Sequence, residues 1–318
     1  WMKREFDVEI DPQKEVNHCI GSKTALAMLP AAFINPGDIT LMTVPGYPVA
    51  GTHTKYYGGE VYRLPLCEEH SFMPQLEQIP DGVKQRAKLL VLNYPNSPTG
   101  AVPDEEFFER AIAFGKKHEI VVVNDAAHIM LTYGRKPLSF LSIKGAKDVG
   151  IEIHSMSKGF DMIGWRLGFF AGNELIVRAI ADVKDNCDSG QFIAIQKAAA
   201  AALDNTSISS RIRIKYQRRL QKLVQTLNEI GFEAKMPGGT YFLYVRAPRG
   251  VENGPVFESA EDASQFLIRE RSICTVPWDD AGPYLRFSVT YYAPAEADED
   301  ALMRDLKQRL AGDRFIWR

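Results

Sequence analysis

Short runs of aliphatic and β-branched residues alternate with amphipathic stretches through the first two thirds of the chain. Runs of this kind, each followed by a helical pattern, are typical of strands in a mostly parallel sheet with helices packed on its faces. Five runs are predicted to be strands: residues 40–44, 89–93, 120–124, 150–154 and 167–171. The pattern therefore predicts an α/β fold.

A helix is predicted between the second and the third of these strands. Asp104 precedes it and can accept a hydrogen bond from a free backbone N–H group of the first turn. Apolar residues then recur at helical spacing, which marks the face that packs against the sheet. They are Phe107, Phe108, Ala111 and Ile112. We expect this face to belong to the core.

The last third of the chain begins with helices. An alanine-rich helical stretch covers residues 173–205 and is interrupted near residues 188–190. A second helix is predicted over residues 207–231, with Ser207 or Ser209 at its start. Its basic residues fall on one face and its isoleucine, leucine and valine residues on the other.

A smaller α+β unit is predicted after this helix. Its strands are residues 241–246, 273–276 and 284–289, its helix is residues 261–271, and a closing helix starts at about Ala295. We therefore predict two domains, a large one over residues 1–205 and a small C-terminal one over residues 206–318. The helix near residues 207–231 would connect them.

Composition and charge argue against several classes of protein. With 38 basic and 40 acidic residues the net charge is −2, which disfavours nucleic acid or an anionic membrane as the main partner. No apolar run reaches the roughly eighteen residues that a membrane-spanning helix needs. The cysteines form no CxxC pair, which predicts neither a metal site nor disulfides and favours the cytoplasm. They are Cys19, Cys67, Cys187 and Cys274.

The segment after the fourth predicted strand carries the strongest chemical signal. Lys158 follows Ser155 and Ser157, and Arg166 comes eight residues later. A lysine forms a Schiff base with an aldehyde only when its amine is partly unprotonated, which a desolvated, electropositive site favours. The guanidinium and the hydroxyl groups can bind the phosphate of an anionic cofactor. An ordinary loop with a solvated lysine is the alternative.

Two motifs in this segment resemble a known family. Ser155-Met-Ser-Lys158 and Gly164-Trp-Arg166-Leu-Gly168 are similar to the pyridoxal-phosphate attachment motif of class I/II aminotransferases. The resemblance covers nearly the whole chain. It implies the fold-type I architecture, with a large α/β domain built on a mostly parallel, helix-flanked sheet and a smaller C-terminal α+β domain. It also implies that Lys158 binds the cofactor and moves the substrate proton, while Ser155 and Arg166 hold the phosphate.

Other cofactor contacts follow from the same resemblance. Asp125, at the end of a predicted strand, would pair with the cofactor's ring nitrogen, although a helix cap is the alternative. Ser22 and Lys23 open a helical pattern and would bind the phosphate at a helix N-terminus. Tyr47 would stack on the ring, and an exposed turn tyrosine is its alternative.

At two positions the chain departs from the family pattern. Ser97 stands where relatives have the asparagine that binds the cofactor's phenolic oxygen, and His128 stands where many have a tyrosine that binds the same atom. Both can still donate a hydrogen bond, although a buried histidine of the core is an alternative for His128. Arg286 matches the arginine that binds the substrate's α-carboxylate, and a surface arginine is its alternative.

The resemblance implies an aminotransferase that moves an amino group between an amino acid and a 2-oxo acid by a ping-pong mechanism. The branch with LL-diaminopimelate, alanine and aspartate aminotransferases is the most similar. A carbon–sulfur β-lyase of the same fold and a non-catalytic sensor domain of a regulator are the alternatives. We expect a homodimer, and we expect that an N-terminal segment of the family is missing here, because the chain begins within what resembles the middle of a family sequence.

Overall fold

The computed structural model describes residues 1–317, and a seven-stranded sheet lies at the centre of the first two thirds. Its strands are β1 (Val16–Cys19), β2 (Ile39–Val44), β3 (Glu60–Pro65), β4 (Ala87–Leu92), β5 (Val121–Asp125), β6 (Gly150–Ser155) and β7 (Gly168–Gly172). They lie in the order β1-β7-β6-β5-β4-β2-β3. Strands β3, β2, β4, β5 and β6 are parallel to one another, and β7 is antiparallel to both β6 and β1. The predicted mostly parallel sheet is confirmed.

Helices cover both faces of this sheet. They are α1 (Met2–Phe6), α2 (Ser22–Phe33), α3 (Val49–Tyr56), α4 (Asp81–Arg86), α5 (Glu105–His118), α6 (Ala146–Val149), α7 (Met156–Gly159), α8 (Glu174–Asp185) and α9 (Ile193–Asp204). Because side chains alternate along a strand, Leu90 packs with the apolar face of α5, whereas Leu89 and Val91 pack with α2 and α8. Asp104 caps α5 as predicted, accepting a hydrogen bond from Phe107 N at 2.8 Å. The fold is therefore α/β, with a separate apolar layer on each face of the sheet.

A second sheet and core follow. The elements are α10 (Thr206–Asn228), β8 (Phe242–Arg246), β9 (Gly250–Val251), α11 (Ala260–Arg271), β10 (Val276–Trp278), β11 (Tyr284–Ser288), α12 (Glu296–Leu310) and β12 (Phe315–Ile316). Strands β10, β11 and β8 form an antiparallel sheet in that order, and β9 pairs with β12. Leu220, Leu243, Leu267 and Leu285 meet in its core, and so does Leu131 from before α10. The predicted boundary between residues 205 and 206 stays a prediction.

Some predicted elements need correction. The strand over residues 273–276 is wrong, because β10 begins only at Val276. Ser272 has a left-handed backbone (φ 54°) and Ile273 N donates to Leu267 O at 2.9 Å, so the residues after α11 complete its C-terminal cap. Neither Ser207 nor Ser209 opens α10, since both lie inside the helix and Asn205 caps it. Strands β1, β3, β9 and β12 were not predicted.

Candidate active site

Side chains from several strand ends meet in a cavity of about 600 Å³. The parallel strands β2, β4, β5 and β6 all end at this edge of the large sheet, and the small sheet lies opposite. All ten predicted cofactor and substrate residues line the cavity, together with four further ones. The lining is Ser22, Lys23, Tyr47, Asn93, Ser97, Asp125, Ala127, His128, Ser155, Ser157, Lys158, Arg166, Phe242 and Arg286.

Lys158 lies in the short helix α7, directly after β6. Burial lowers the pKa of its amine, and the positive charges of Arg166 and Arg286 lower it further, while Tyr47 and Asp125 act in the opposite direction. The Nζ atom lies 5.3 Å from the centroid of the Tyr241 ring. The neutral amine that covalent and proton-transfer chemistry needs is therefore easier to reach here than in a solvated lysine.

Asp125 is the last residue of β5 and is only 3% exposed. Burial raises its pKa to about 7, against the smaller opposing effects of the Ala127 N–H group and of Lys158. Among residues 1–317, no lysine or arginine forms a salt bridge with this carboxylate. A buried carboxylate without a paired cation fits a ligand that brings a positive charge, such as a protonated ring nitrogen.

Hydrogen-bond donors that could bind an anion lie together in the cavity. The N-terminus of the twelve-residue helix α2 lies here, preceded by Gly21 with φ 71°. A Cβ atom at position 21 would collide with Nη2 of Arg166, so the guanidinium lies directly against the start of the helix. Ser155 accepts a hydrogen bond from Ser157 N at 3.1 Å, which leaves its hydroxyl hydrogen free to donate. The arrangement fits a phosphate group.

His128 is 5% exposed, and its Nδ1 atom has no hydrogen-bond partner among residues 1–317. Burial, and then the charges of Lys158 and Arg286, lower its pKa to about 3, so the ring is neutral. A buried donor or acceptor without a partner is costly, which suits a group that binds a ligand atom.

Asn93 is a site residue that sequence reasoning missed. Its Nδ2 donates to Asp125 O at 3.1 Å, and its Oδ1 accepts from Ser97 N at 3.1 Å. It therefore holds the turn after β4 against the end of β5 and fixes the position of Ser97. The signal was its place at the end of a buried strand.

Arg286 faces the cavity from β11, opposite to the buried Leu285 and Phe287, because side chains alternate along a strand. Its Cζ lies 4.1 Å from the centroid of the Phe242 ring, and its Nε is buried without a hydrogen-bond partner among the described residues. A guanidinium that rests on an aromatic face and keeps free donors is prepared to bind a carboxylate. Phe242 and Tyr241 were also missed, because their ring contacts depend on the packing of the small sheet.

Tyr47 follows β2 and is 38% exposed, with its ring centroid 5.8 Å from Lys23 Nζ. Both side chains stand at the mouth of the cavity. Among residues 1–317, no cluster of histidine, cysteine and acidic side chains could hold a metal ion.

Solved structures with the same fold align with nearly the whole of this chain. A substrate-bound BacF structure from Bacillus subtilis has a TM-score of 0.91 at 32% identity and covers 100% of this chain and 79% of its own. An aminotransferase structure from Staphylococcus aureus has a TM-score of 0.88 at 28% identity and covers 98% and 81%. The fold and the cavity define a fold-type I enzyme that uses pyridoxal phosphate.

The model of the family "Aminotransferase class I and II" matches residues 1–299, and this chain belongs to that family. It is therefore a transaminase with pyridoxal 5'-phosphate as its cofactor. The LL-diaminopimelate aminotransferase of Methanocaldococcus jannaschii is 56% identical over 98% of this chain and 77% of its own length. That of Methanococcus maripaludis is 53% identical over 100% of this chain and 78% of its own.

Proposed function

We propose that this transaminase takes LL-diaminopimelate as one of its amino-acid substrates and exchanges the amino group with a 2-oxo acid. Two relatives with that name are more than half identical across the chain. The cavity supports the proposal, because its lining has four basic side chains and, among the described residues, one carboxylate. A phosphate and the two carboxylates of a diamino dicarboxylate are the anions that this positive charge would neutralise.

We assign the cofactor contacts to the residues that were predicted from the sequence. Ser22, Lys23, Ser155 and Arg166 would hold the phosphate at the start of α2. When bound, pyridoxal phosphate supplies an aldehyde that captures an amine and a ring that accepts the electron pair released at the substrate's Cα.

The remaining cofactor contacts concern the ring. Asp125 would pair with the ring nitrogen, and Tyr47 would cover one face of the ring. Ser97 and neutral His128 would donate hydrogen bonds to the phenolic oxygen.

Lys158 is the single group that carries the proposed chemistry. Its amine, with its pKa lowered by burial, would accept the proton from the substrate's Cα and would deliver it to the carbon that the cofactor's aldehyde group supplies. Arg286 holds the α-carboxylate, so that the Cα–H bond points towards this amine. The first amino acid would leave its amino group on the cofactor and, after addition of water, depart as a 2-oxo acid. A second 2-oxo acid would then take the amino group in the reverse sequence, with release of water.

We also propose that two copies of the chain form a homodimer. Apolar side chains are exposed beside Arg166 and would be covered by a second copy, namely Ile163 (50%), Trp165 (48%), Phe192 (73%) and Ile193 (64%). We call these four residues the apolar patch. Exposed apolar residues that lie together mark sites of association.

A cytoplasmic location is part of the same proposal, because the four cysteines are unpaired thiols. Among residues 1–317, none of the helices combines the length and the apolar character needed to cross a membrane.

The test is a half-reaction with a single substrate at a time. Protein loaded with pyridoxal phosphate is mixed with LL-diaminopimelate, its meso isomer, alanine or aspartate, and the absorption of the cofactor is followed together with the 2-oxo product. We expect LL-diaminopimelate to convert the aldehyde form to the amine form fastest, and 2-oxoglutarate to reverse the change. If another amino acid converts the cofactor and LL-diaminopimelate does not, LL-diaminopimelate is not the substrate. Pyruvate and ammonia from cystathionine, without any acceptor, would instead support the β-lyase.

A further inference from the structure

The loop between α8 and α9 contacts the backbone of the segment that contains Arg166. The Nε2 atom of Gln191 donates to Trp165 O at 3.1 Å and also to Arg166 O. Both acceptors are carbonyl groups, so the amide nitrogen of Gln191 is directed at two successive peptide units. Gln191 is only partly exposed and was not assigned any role from the sequence.

Arg166 needs such support, because its backbone is left-handed with φ 53°. For a residue with a side chain this conformation is sparsely populated and persists only when the surroundings hold it. Hydrogen bonds to the carbonyl groups of Trp165 and Arg166 fix the orientation of the peptide units on which the conformation depends.

The backbone of Arg166 in turn determines where the guanidinium lies. Its Nη1 donates to Ile163 O at 2.8 Å, and its Nη2 lies against Gly21 at the start of α2. Because Gly21 has no side chain, the guanidinium has room beside the N-terminus of α2. A change of the backbone angles at Arg166 would move the guanidinium away from this position.

The loop itself is fixed by hydrogen bonds on both sides of Gln191. Asp188 accepts from the buried Lys184 at 2.5 Å and from Gly190 N at 2.9 Å. Gln196, in α9, donates to Gln191 O at 2.7 Å. The amide of Gln191 is therefore presented by an ordered loop, and its contacts to the arginine segment need no further ordering.

We propose that Gln191 is a positioning residue for the cofactor phosphate, acting through the left-handed backbone of Arg166. The inference rests on the proposed binding of the phosphate by Arg166. Gln191 has no direct contact with the cofactor in this proposal. Its effect is to keep the guanidinium aligned with the N-terminus of α2, so that both bind the same phosphate oxygens.

The experiment compares pyridoxal phosphate with pyridoxal, which has the same aldehyde and ring but no phosphate. Binding of each to Gln191→Leu and Gln191→Met is measured by quenching of tryptophan fluorescence. We expect the Kd for pyridoxal phosphate to rise about tenfold, as for the loss of well-placed hydrogen bonds. The Kd for pyridoxal and the kcat at saturating cofactor should stay within about twofold, because Lys158 and Arg286 are untouched. Gln221→Leu, an exposed glutamine of α10, is the matched control and should bind both ligands normally.

A double variant separates positioning from stability. In an Arg166→Ala background, Gln191→Leu is expected to have no further effect on pyridoxal phosphate, because no guanidinium is left to position. Equal losses for both ligands together with a lower Tm would overturn the proposal in favour of a merely structural role.

Binding of the two ligands to the wild-type protein tests the phosphate site separately from the role of Gln191. If it prefers pyridoxal phosphate strongly and the Gln191 variants keep that preference in full, the positioning role is wrong while the phosphate site stands. If the wild-type protein binds both ligands equally well, Arg166 does not bind the phosphate. The proposed role of Gln191 is then wrong as well.

Discussion

Lys158 and Asp125 lie at neighbouring strand ends, and burial shifts their pKa values in opposite directions. The pKa of the lysine is lowered and that of the aspartate is raised to about 7, so burial favours the neutral form of each. In the absence of a cofactor the cavity therefore carries an aspartate whose charge is unfavourable. A protonated ring nitrogen would supply the missing positive charge and make Asp125 an anion.

The stability of the cofactor-free protein should report this directly. Because the pKa of Asp125 is raised from 3.8 to about 7 in the folded state, the protonated carboxyl favours folding below pH 3.8, and this contribution is lost as the pH rises through 7. Asp125→Asn should therefore gain stability over the wild type between pH 4 and pH 8, by up to about 4 kcal/mol.

Urea unfolding at several pH values measures this difference. Added pyridoxal phosphate should reverse it by stabilising the wild type more than the variant. A difference that does not change with pH would show that Asp125 is an ordinary carboxylate.

At the scale of elements, α10 and α12 are joined by one buried carboxylate. Glu299 of α12 is 1% exposed and accepts hydrogen bonds from Arg218 and Arg219 of α10 at 2.7–2.9 Å. Burial alone would raise its pKa, but the two arginines outweigh that effect and lower the pKa to about 2. The stabilising charge is therefore present above pH 4.5 and is lost as the pH falls towards 2.

Glu299→Ala is expected to lower the free energy of unfolding by about 3–5 kcal/mol, because two arginines lose their buried partner. Glu296→Ala is the control, since Glu296 pairs with the same Arg218 at 2.6 Å but its side chain is 65% exposed. That change should cost less than about 1 kcal/mol. Denaturant unfolding at pH 7 compares them, and equal effects would count against a buried network.

The elements that the sequence predicts well are those whose neighbours bury both faces. Strands β4 and β5 are largely apolar runs because helices cover the sheet on each side, and β6 is buried as well although it includes Glu152 and His154. Strand β3 was missed because it lies at the sheet edge and has polar residues such as Glu60 and Arg63. Strand β10 begins later than predicted for another reason, because the backbone N–H group of Ile273 takes part in the C-terminal cap of α11.

The residues of the candidate site also fall into those that could be predicted from the sequence and those that could not. Residues within a local motif or at a strand end, such as Lys158 and Asp125, could be predicted because parallel strands bring their carboxyl ends to one edge. Asn93, Tyr241 and Gln191 could not, because each acts through a contact with a segment distant in sequence. Such contacts exist only after the chain has folded.

At the scale of the whole molecule, the apolar patch is the feature that supports the proposed homodimer. Gln191 joins its two parts, since it donates to Trp165 O and directly precedes Phe192. Trp165, a member of the patch, also directly precedes Arg166 in the chain. A second copy that covers it would also exclude water from the phosphate end of the cavity.

Phe192→Asp should convert the proposed dimer to monomers, because it places a charge within the apolar patch that a second copy would cover. Light scattering coupled to size-exclusion chromatography gives the mass at several protein concentrations. Val256→Asp is the control, since Val256 is 77% exposed but lies near β9, apart from the patch in the chain. A wild-type protein that stays monomeric at all concentrations would contradict the dimer.

In the proposed mechanism, the amine of Lys158 is the group that captures the cofactor and moves the proton. Reduction of the loaded protein with borohydride, followed by peptide mapping, tests it most directly. We predict one labelled peptide containing residues 156–166 with the label on Lys158, and no label in Lys158→Ala or when the cofactor is left out. A label on another lysine, or none in the wild-type protein, would contradict the account.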